Sequence, residues 1–269
     1  MRLVTYDAGR GLRVGLLRGD QVLEVDAPSM RALLASGGLD QLEPGASTPL
    51  GDARLLPPIP DPSKLICIGL NYRSHAAEAG LDPPETPTFF SKFANALVPA
   101  GTEVPLPAYS KKVDYEAEVA FVVGSRAKDV PEERALEHIA GYTLLNDLSA
   151  RDYQFMTPQW MPGKVFDGSA PCGPALVTPD EAGAPDAIEI ELKLNGEVMQ
   201  SASTADLIHS IPALVAHLSK LMTLEPGDIV STGTPAGVGS VRQPRVWLKP
   251  GDEIEINSPT LGTLRTFVV

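Results

Sequence analysis

The most constraining feature of the sequence is a short acidic stretch that alternates like a β-strand. From Asp114 to Val123 apolar side chains occupy every second position, and Asp114, Glu116 and Glu118 stand between the first of them. Side chains two residues apart in a strand share a face and lie about 7 Å apart, so neighbouring carboxylates repel each other. A strand end in solvent removes that cost, and so does a divalent cation bound between the carboxylates. Both arrangements are open at this point.

The composition limits the architecture and the partners. The 269 residues are 43% hydrophobic, which suits one main domain with a small appendage. The 26 prolines and 24 glycines favour many short strands over a helical bundle. The net charge of −12 would repel phosphate backbones, and no long basic cluster is present, so we expect no nucleic-acid partner.

Signals for export or membrane insertion are missing from the sequence. The N-terminus has no apolar core of a signal peptide, and no apolar run approaches the roughly 20 residues that span a bilayer. Cys67 and Cys172 are far apart and are interpreted as buried residues in a reducing compartment. We therefore expect a cytoplasmic protein without a membrane partner.

A proline-rich linker divides the chain. Residues 1 to about 55 contain a predicted strand, a hairpin and a short helix, and the stiff segment Pro57–Pro62 follows them. We predict a small N-terminal domain with its linker over 1–60 and a larger catalytic domain over 61–269.

A strand followed by a short helix opens the larger domain. Lys64–Gly69 reads as a buried strand, with Ser74 as the N-cap of the helix and Gly80 as its C-terminal stop. His75 and Glu78 would then share one helical face. A cleft pair and an exposed surface pair are equally compatible with this spacing.

A second strand, over residues 141–147, delivers Asp147 at its end. Together with Glu116 and Glu118 it forms the natural carboxylate set of the chain. Hard oxygen ligands without clustered His or Cys suit Mg²⁺, Mn²⁺ or Ca²⁺ better than Zn²⁺. His75 and Glu78 are a candidate general base and the residue that orients it.

Four further polar residues are candidate substrate anchors. Helical spacing places Arg151 and Gln154 on one face, Lys164 is a single lysine in an apolar loop, and Thr234 belongs to a glycine-rich loop that lacks the P-loop Gly-Lys-Ser/Thr. Tyr72 is a candidate for the pocket wall, although loop aromatics are as often simple packing. The Gly-x-Ser-x-Gly elbow of serine hydrolases is absent.

Three scaffold elements are also predicted. Pro131–Ile139 reads as a helix, and Asn195-Gly196 is a type I′ hairpin signal between two strands. Ile211–Leu221 reads as an amphipathic helix with an apolar stripe of Leu214, Leu218 and Leu221.

These motifs, in this order, resemble the fumarylacetoacetate hydrolase family, and the likeness extends from about Lys64 to the C-terminus. Several motifs in sequence make the match specific, whereas any one alone would be weak. The matching segments are Ile68–Tyr72 with His75 and Glu78, Asp114–Glu118, Asn146-Asp147 with Ala150–Gln154, Gln159-Trp160 with Gly163-Lys164, and Ser231–Gly239.

The resemblance implies an α+β, mainly β fold: a mixed β-sandwich roll with a small N-terminal α+β domain, usually as a homodimer. It implies Mg²⁺ or Mn²⁺, with Ca²⁺ as a substitute in crystals, on Glu116, Glu118 and Asp147. It also implies catalytic roles for His75, Glu78 and Lys164, with the His75 segment acting as a flap. Its substrate-contacting positions correspond to Arg151, Gln154 and Thr234.

The implied activity is metal-dependent hydrolysis of the C–C bond of a 2,4-dioxo acid, an acylpyruvate or a fumarylpyruvate-like compound. The reaction releases a pyruvate enolate, whose charge the cation and Lys164 would stabilise. Decarboxylation of oxaloacetate, and isomerisation or hydration of an unsaturated 2-oxo diacid, use related enolates, so these residues do not choose among the reactions. A structural Ca²⁺-binding protein is the non-enzymatic alternative.

Overall fold

The computed structural model describes residues 1–269, apart from the side chain of Asp40. The fold is mainly β with mixed sheets, as the sequence predicts. The strands are β1 (Arg2–Asp7), β2 (Leu12–Arg18), β3 (Gln21–Val25), β4 (Pro44–Pro49), β5 (Arg54–Leu55), β6 (Leu65–Gly69), β7 (Thr88–Lys92), β8 (Leu97–Val98), β9 (Thr102–Val104), β10 (Val113–Asp114), β11 (Ala117–Val123), β12 (Ile139–Asn146), β13 (Ser149–Ala150), β14 (Ala170–Val177), β15 (Glu189–Leu194), β16 (Glu197–Ser203), β17 (Ile229–Ser231), β18 (Glu253–Ser258) and β19 (Gly262–Val268).

The helices are short. The α-helices are α1 (Met30–Ala35), α2 (Arg73–Ala79), α3 (Arg151–Gln154), α4 (Pro179–Ala182) and α5 (Ile211–Leu221), and the 3₁₀ turns are Gly38–Gln41, Leu50–Asp52, Ala94–Ala96, Glu132–His138, Met161–Gly163, Thr204–Asp206 and Gly239–Val241. In the described part of the chain, none combines the length and the apolarity that a bilayer crossing requires.

One large sheet runs through the molecule in the order β4-β3-β2-β1-β14-β12-β11-β17-β6-β7, with β5 paired to β1 and β8 to β14. Its central strands β11 and β12 are buried on both faces. Strand β17 lies parallel to β6 and antiparallel to β11. The ends of β6, β11, β12 and β17 therefore meet in the interior.

The N-terminal residues continue this large sheet. Strand β1 pairs with β2 on one edge and with β14 on the other, through Arg2–Val177 and Leu3–Leu176. The predicted hairpin is confirmed as β2 and β3 around Gly19, whose φ is +58°. A domain boundary near residue 60 stays a prediction.

A smaller five-stranded sheet has the order β16-β15-β18-β19-β9. The predicted Asn195-Gly196 turn joins β15 to β16, and both residues have positive φ, 52° and 84°. This conformation is the type I′ turn that glycine and asparagine favour. Strands β15 and β18 alternate buried and more exposed residues, so this sheet covers the core with one face.

One sequence prediction about the acidic stretch needs correction, and one of the two alternatives left open for it is excluded. The stretch is interrupted at Tyr115-Glu116, because the Tyr115 N–H donates to the Asp114 carboxylate at 2.9 Å and the Glu116 N–H donates to Asn146 Oδ1 at 3.2 Å. These amides bond to side chains and not to a partner strand. The solvent-exposed strand end is also excluded, because Asp114, Glu116 and Glu118 are all buried.

Three smaller predictions differ from the structure. The helix α2 begins at Arg73, and its N–H at Ser74 is capped by the distant carboxylate of Asp206 at 3.0 Å, so Ser74 is not the N-cap. The predicted helix at 131–139 is a 3₁₀ segment. The bounds of α5 are confirmed, but Leu221 is 56% exposed and does not belong to its buried stripe.

Candidate metal and substrate site

The three predicted carboxylates come together in the interior. Strands β11 and β12 pair Glu118 with Leu145, and Asp147 follows β12 directly, its N–H donating to the Glu116 carbonyl at 2.9 Å. One carboxylate oxygen from each of Glu116, Glu118 and Asp147 lies within 4.8 Å of the others, and all three side chains are buried. This group could hold a metal ion, and carboxylate oxygens suit a hard divalent cation.

Two cations compensate Glu116. The Lys164 ammonium lies 2.7 Å from Glu116 Oε2 and 2.8 Å from Asp147 Oδ2, and Arg151 Nη2 lies 2.6 Å from Glu116 Oε1. Burial disfavours the charged carboxylate, but Arg151 and then Lys164 outweigh it and hold the pKa of Glu116 well below its usual range. Glu116 is therefore ionised at neutral pH.

Glu118 lacks such compensation. Its Oε2 accepts hydrogen bonds from Ser231 Oγ at 2.5 Å and from the Gly233 N–H at 3.1 Å, and it forms no ion pair with any side chain that the structure describes. Burial, followed by the charges of Asp147 and Glu116, raises the pKa of Glu118 well above its usual range. A bound divalent cation would relieve this cost, so the donor set fits a metal.

Gly233 shows how closely the chain packs around Glu118. Its φ is +100°, and a Cβ there would lie 3.1 Å from both the Ile68 carbonyl oxygen and Asn71 Cβ. A side chain at this position would be strained and crowded, so glycine is what allows the N–H to reach the carboxylate.

A cavity of about 170 Å³ opens onto the carboxylates. Eight of the predicted site residues line it: His75, Glu116, Glu118, Asp147, Arg151, Gln154, Lys164 and Thr234. The other lining residues are Ile68, Gly69, Leu70, Ala79, Leu81, Phe90, Phe155, Trp160, Ser240 and Val241. Arg151 and Lys164 lie beside the carboxylates, and most of the remaining cavity wall is apolar.

His75 lines the cavity, whereas Glu78 beside it is more exposed and is not among the residues that line the cavity. His75 Nδ1 lies 3.6 Å from Glu78 Oε2, and the Glu78 carboxylate also accepts the Gly237 N–H at 3.0 Å. Burial lowers the pKa of His75, and Arg151 adds to this, while Glu116 and Glu78 oppose it. The imidazole is therefore neutral at pH 7, the form that accepts a proton.

The candidate anchors are held by a hydrogen-bond network. Arg151 Nη1 donates to Gln154 Oε1 at 2.9 Å across one turn of α3, as the helical spacing predicts. Thr234 Oγ1 accepts from Gln200 Nε2 at 2.8 Å, and Gln200 Oε1 accepts the Ala117 N–H at 2.9 Å. Gln200 thus links the glycine-rich loop to the start of β11.

Tyr72 has a different position. It is fully buried and is not among the residues that line the cavity, and its backbone forms a β-bridge with Leu207. Burial raises the pKa of its hydroxyl, with the charge of Glu118 adding to the effect. A substrate-binding role for Tyr72 stays a prediction.

Lys92 is a site residue that the sequence reasoning missed. Its buried ammonium bonds to Asp147 Oδ1 and donates to the carbonyls of Ser169 at 2.8 Å and Leu148 at 3.2 Å. Strand alternation places Lys92 on the same face as the buried Phe90. A lysine on the inner face of an apolar strand signals a buried acidic partner, and that signal was present in the sequence.

Comparison with known proteins agrees with this arrangement. The family described as "Fumarylacetoacetate (FAA) hydrolase C-terminal" matches residues 64–269. The chain is 38% identical over 288 residues to "Oxaloacetate tautomerase FAHD2A, mitochondrial" from Bos taurus, covering 100% of this chain and 92% of the bovine protein. The chain therefore belongs to the fumarylacetoacetate hydrolase family.

Two solved structures share the fold. The crystal structure of 5-carboxymethyl-2-hydroxymuconate delta-isomerase from Mycobacterium smegmatis has 37% identity and a TM-score of 0.86, covering 100% of this chain and 99% of that one. Fumarylacetoacetate hydrolase from psychrophilic Exiguobacterium antarcticum has 32% identity and a TM-score of 0.86, with the same coverage. The names of these relatives span a tautomerase, an isomerase and a hydrolase.

Proposed function

We propose that the protein is a divalent-metal-dependent enzyme that interconverts the enol and keto forms of a small 2-oxo diacid, with oxaloacetate as the first candidate. The single observation that carries the proposal is the buried Glu116–Glu118–Asp147 group, which shares one cavity with the neutral imidazole of His75. The name of the bovine relative supports the choice of oxaloacetate.

Charge supports an acidic substrate bound together with a cation. Four buried carboxylates, Asp114, Glu116, Glu118 and Asp147, face the three cations Lys92, Arg151 and Lys164. A divalent cation would give the site a net positive charge, which a dianion complements. We propose Mg²⁺ or Mn²⁺ on Glu116, Glu118 and Asp147 because these ions take oxygen ligands and leave open positions.

The side chains of the cavity supply the proton chemistry. A divalent cation held by Glu116, Glu118 and Asp147 would supply Lewis acidity to a bound 2-oxo acid. His75, with Glu78 beside it, accepts the proton of the 2-hydroxyl of the enol form and returns a proton to C3, which gives the keto form. The Lys164 ammonium stabilises the negative charge that develops on the C2 oxygen, and Arg151, Gln154 and Thr234 orient the substrate.

The size of the cavity favours a short substrate. Its 170 Å³ falls below the roughly 300–1,000 Å³ of pockets that hold drug-sized ligands. A four-carbon diacid fits this limit better than a 2,4-dioxo acid with a long tail.

Hydrolysis of the C–C bond of a 2,4-dioxo acid is the second candidate. The observation that favours it is the neutral His75 on the cavity wall, which could take a proton from a water that attacks the C4 carbonyl. The C3–C4 bond would break, and its electron pair would pass to the pyruvate enolate. The name of the Exiguobacterium relative is consistent with such a reaction.

A substrate panel tests the two candidates. We expect the enol absorbance of oxaloacetate to decay faster with enzyme and Mg²⁺ or Mn²⁺ than with enzyme and excess chelator. Pyruvate release from acetylpyruvate, and from oxaloacetate, is measured in parallel. Pyruvate from acetylpyruvate without accelerated enol decay would make hydrolysis the function, and pyruvate from oxaloacetate alone would make the protein a decarboxylase.

The homodimer and the cytoplasmic location remain predictions. The name of the bovine relative places that protein in mitochondria. Sedimentation of the purified chain would test the dimer.

A further inference from the structure

Asp114 does not line the cavity, but its carboxylate accepts hydrogen bonds from three segments of the chain. The side chain is fully buried. Its Oδ1 accepts the N–H groups of Tyr115 at 2.9 Å and Gly239 at 2.7 Å. Its Oδ2 accepts the Ser240 N–H at 2.9 Å and the Arg151 Nε–H at 3.0 Å, and Arg151 Nη2 lies 2.9 Å away.

Two of these partners are parts of the cavity wall. Arg151 contributes its guanidinium, and the turn Gly239–Val241 contributes Ser240 and Val241. The turn is built to approach the carboxylate, because a Cβ on Gly239 would lie 2.7 Å from Asp114 Oδ1 and 2.2 Å from the Val246 carbonyl oxygen. The carboxylate therefore joins one charged wall and one backbone wall of the same cavity.

Arg151 is divided between two carboxylates. Its Nε edge faces Asp114, its Nη2 lies between Asp114 and Glu116 at 2.9 Å and 2.6 Å, and its Nη1 donates to Gln154 at 2.9 Å. A guanidinium carries five N–H donors in a fixed planar fork, so fixing the Nε edge fixes the direction of Nη1. Without Asp114 the guanidinium would be free to turn fully onto Glu116.

We infer that Asp114 is a positioning residue that sets the guanidinium of Arg151 and the Gly239–Val241 turn as one unit, and thereby determines how tightly the 2-oxo acid head of the substrate is bound. This inference rests on the proposed function, since it takes Arg151 as a substrate anchor. Asp114 itself touches neither the substrate nor the proposed metal ligands in this scheme, so its loss should act on binding more than on the chemical step.

The test is the variant Asp114→Asn, which keeps the shape of the side chain. Both oxygens of Asp114 face N–H donors, so an amide NH₂ must oppose at least two of them whichever way it turns. We expect KM for oxaloacetate, and the inhibition constant of pyruvate, to rise by about tenfold, the factor that corresponds to about 1.4 kcal/mol, with a much smaller change in kcat.

Asp228→Asn is the matched control. Asp228 is also fully buried. Its carboxylate accepts hydrogen bonds from the backbone N–H groups of Lys64 and Glu225 and from the ammonium of Lys64. It is not part of the cavity wall. We expect this variant to lose thermal stability while its KM stays within about twofold of the wild type.

A double-mutant cycle with Arg151→Met separates positioning from general destabilisation. If Asp114 sets Arg151 and the turn as one unit, Asp114→Asn should raise KM clearly less in the Arg151→Met background than in the wild type. Additive effects would overturn the inference, and so would an unchanged KM and pyruvate inhibition in Asp114→Asn. Should Asp114→Asn not fold, Gly239→Ala displaces the turn from the same carboxylate, and we expect the same rise in KM.

The proposed function can fail separately. If the wild type shows no metal-dependent turnover, that function is wrong, and a crystal structure of Asp114→Asn then decides the inference. An Arg151 guanidinium that has turned onto Glu116 supports it, whereas an unmoved guanidinium with an unmoved 239–241 turn overturns it.

Discussion

The five-stranded sheet is buried on one face, whereas the central strands of the large sheet are buried on both faces. In β15 the side chains of Ile190, Leu192 and Leu194 are buried and those between them are more exposed, so the strand has one inner face. In β11 every residue from Ala117 to Val123 is buried. A charged residue on β15 can reach solvent, whereas Glu118 on β11 must find compensation inside the protein.

This difference in burial distinguishes the five-stranded sheet, which has no residue in the candidate site, from the central strands, which carry the site's carboxylates. The acidic residues of the five-stranded sheet, which we call the outer sheet, lie at its more exposed positions, so we expect that they can be changed without consequence for the interior. The central strands carry carboxylates that would be costly without cationic partners. Lys92, Arg151 and Lys164 supply part of the compensation, and we propose that a divalent cation supplies the rest.

The largest contrast is expected in activity. Glu116→Ala should reduce metal-dependent turnover of oxaloacetate to the rate of the metal-free reaction, because a proposed ligand is lost. Glu191→Ala, on half-exposed β15, should leave turnover unchanged. Both are measured as enol decay with Mg²⁺ and with chelator. Full metal-dependent activity of Glu116→Ala would show that the central carboxylates are not the catalytic metal site.

The core should show the same contrast in stability. Phe121 on β11 is fully buried, whereas Phe267 on β19 is 37% exposed. We expect Phe121→Ala to lower the free energy of unfolding by about 3–5 kcal/mol, since it leaves a cavity between packed strands. Phe267→Ala should cost clearly less. Urea unfolding measures both, and equal losses would mean that the two sheets do not differ in packing as the structure describes.

The pH dependence tests the environment of His75. Its pKa is lowered, mainly by burial, and the neutral form is the base, so activity should persist at pH 6.5 and fall only at more acidic pH, by about tenfold per pH unit. His217→Gln, a half-buried histidine on α5, should leave the profile unchanged. An acidic limb of kcat/KM centred above pH 6.5 would contradict a lowered pKa.

The smallest effect is expected at the hairpin of the outer sheet. Gly196 has a φ of +84°, so Gly196→Ala should cost about 1 kcal/mol through backbone strain. KM should not change, because the turn is not among the residues that line the cavity. Thermal unfolding and steady-state kinetics check the two halves of this expectation. A change in KM would indicate that the outer sheet communicates with the site.

Local rules predicted one hairpin of the five-stranded sheet and the longest helix. The Asn195-Gly196 turn and the bounds of α5 follow from turn chemistry and helical periodicity, which act over a few residues. Asp147 at the end of a strand, and Arg151 beside Gln154, follow from the same rules. The carboxylate set Glu116, Glu118 and Asp147 was predicted from residue type, and the family resemblance then implied that these three residues hold one metal ion.

The parts that could not be predicted depend on contacts between distant segments. The interruption at Tyr115-Glu116 requires Asn146, 30 residues away, and the N-terminus of α2 is capped by Asp206, 132 residues from Ser74. The burial of Lys92 could have been predicted, because strand alternation places it on the same face as Phe90. Its partner Asp147 could not be predicted, since nothing local brings the end of β12 to Lys92 on β7.

Stoichiometric binding of Mn²⁺ tests the central claim most directly. We would titrate the wild type, Glu118→Gln and Glu191→Gln with Mn²⁺ and follow free Mn²⁺ by electron paramagnetic resonance, without any substrate. The account predicts one tight Mn²⁺ per chain in the wild type and in Glu191→Gln, and loss of that site in Glu118→Gln. Equal binding by all three proteins, or no binding by the wild type, would contradict it.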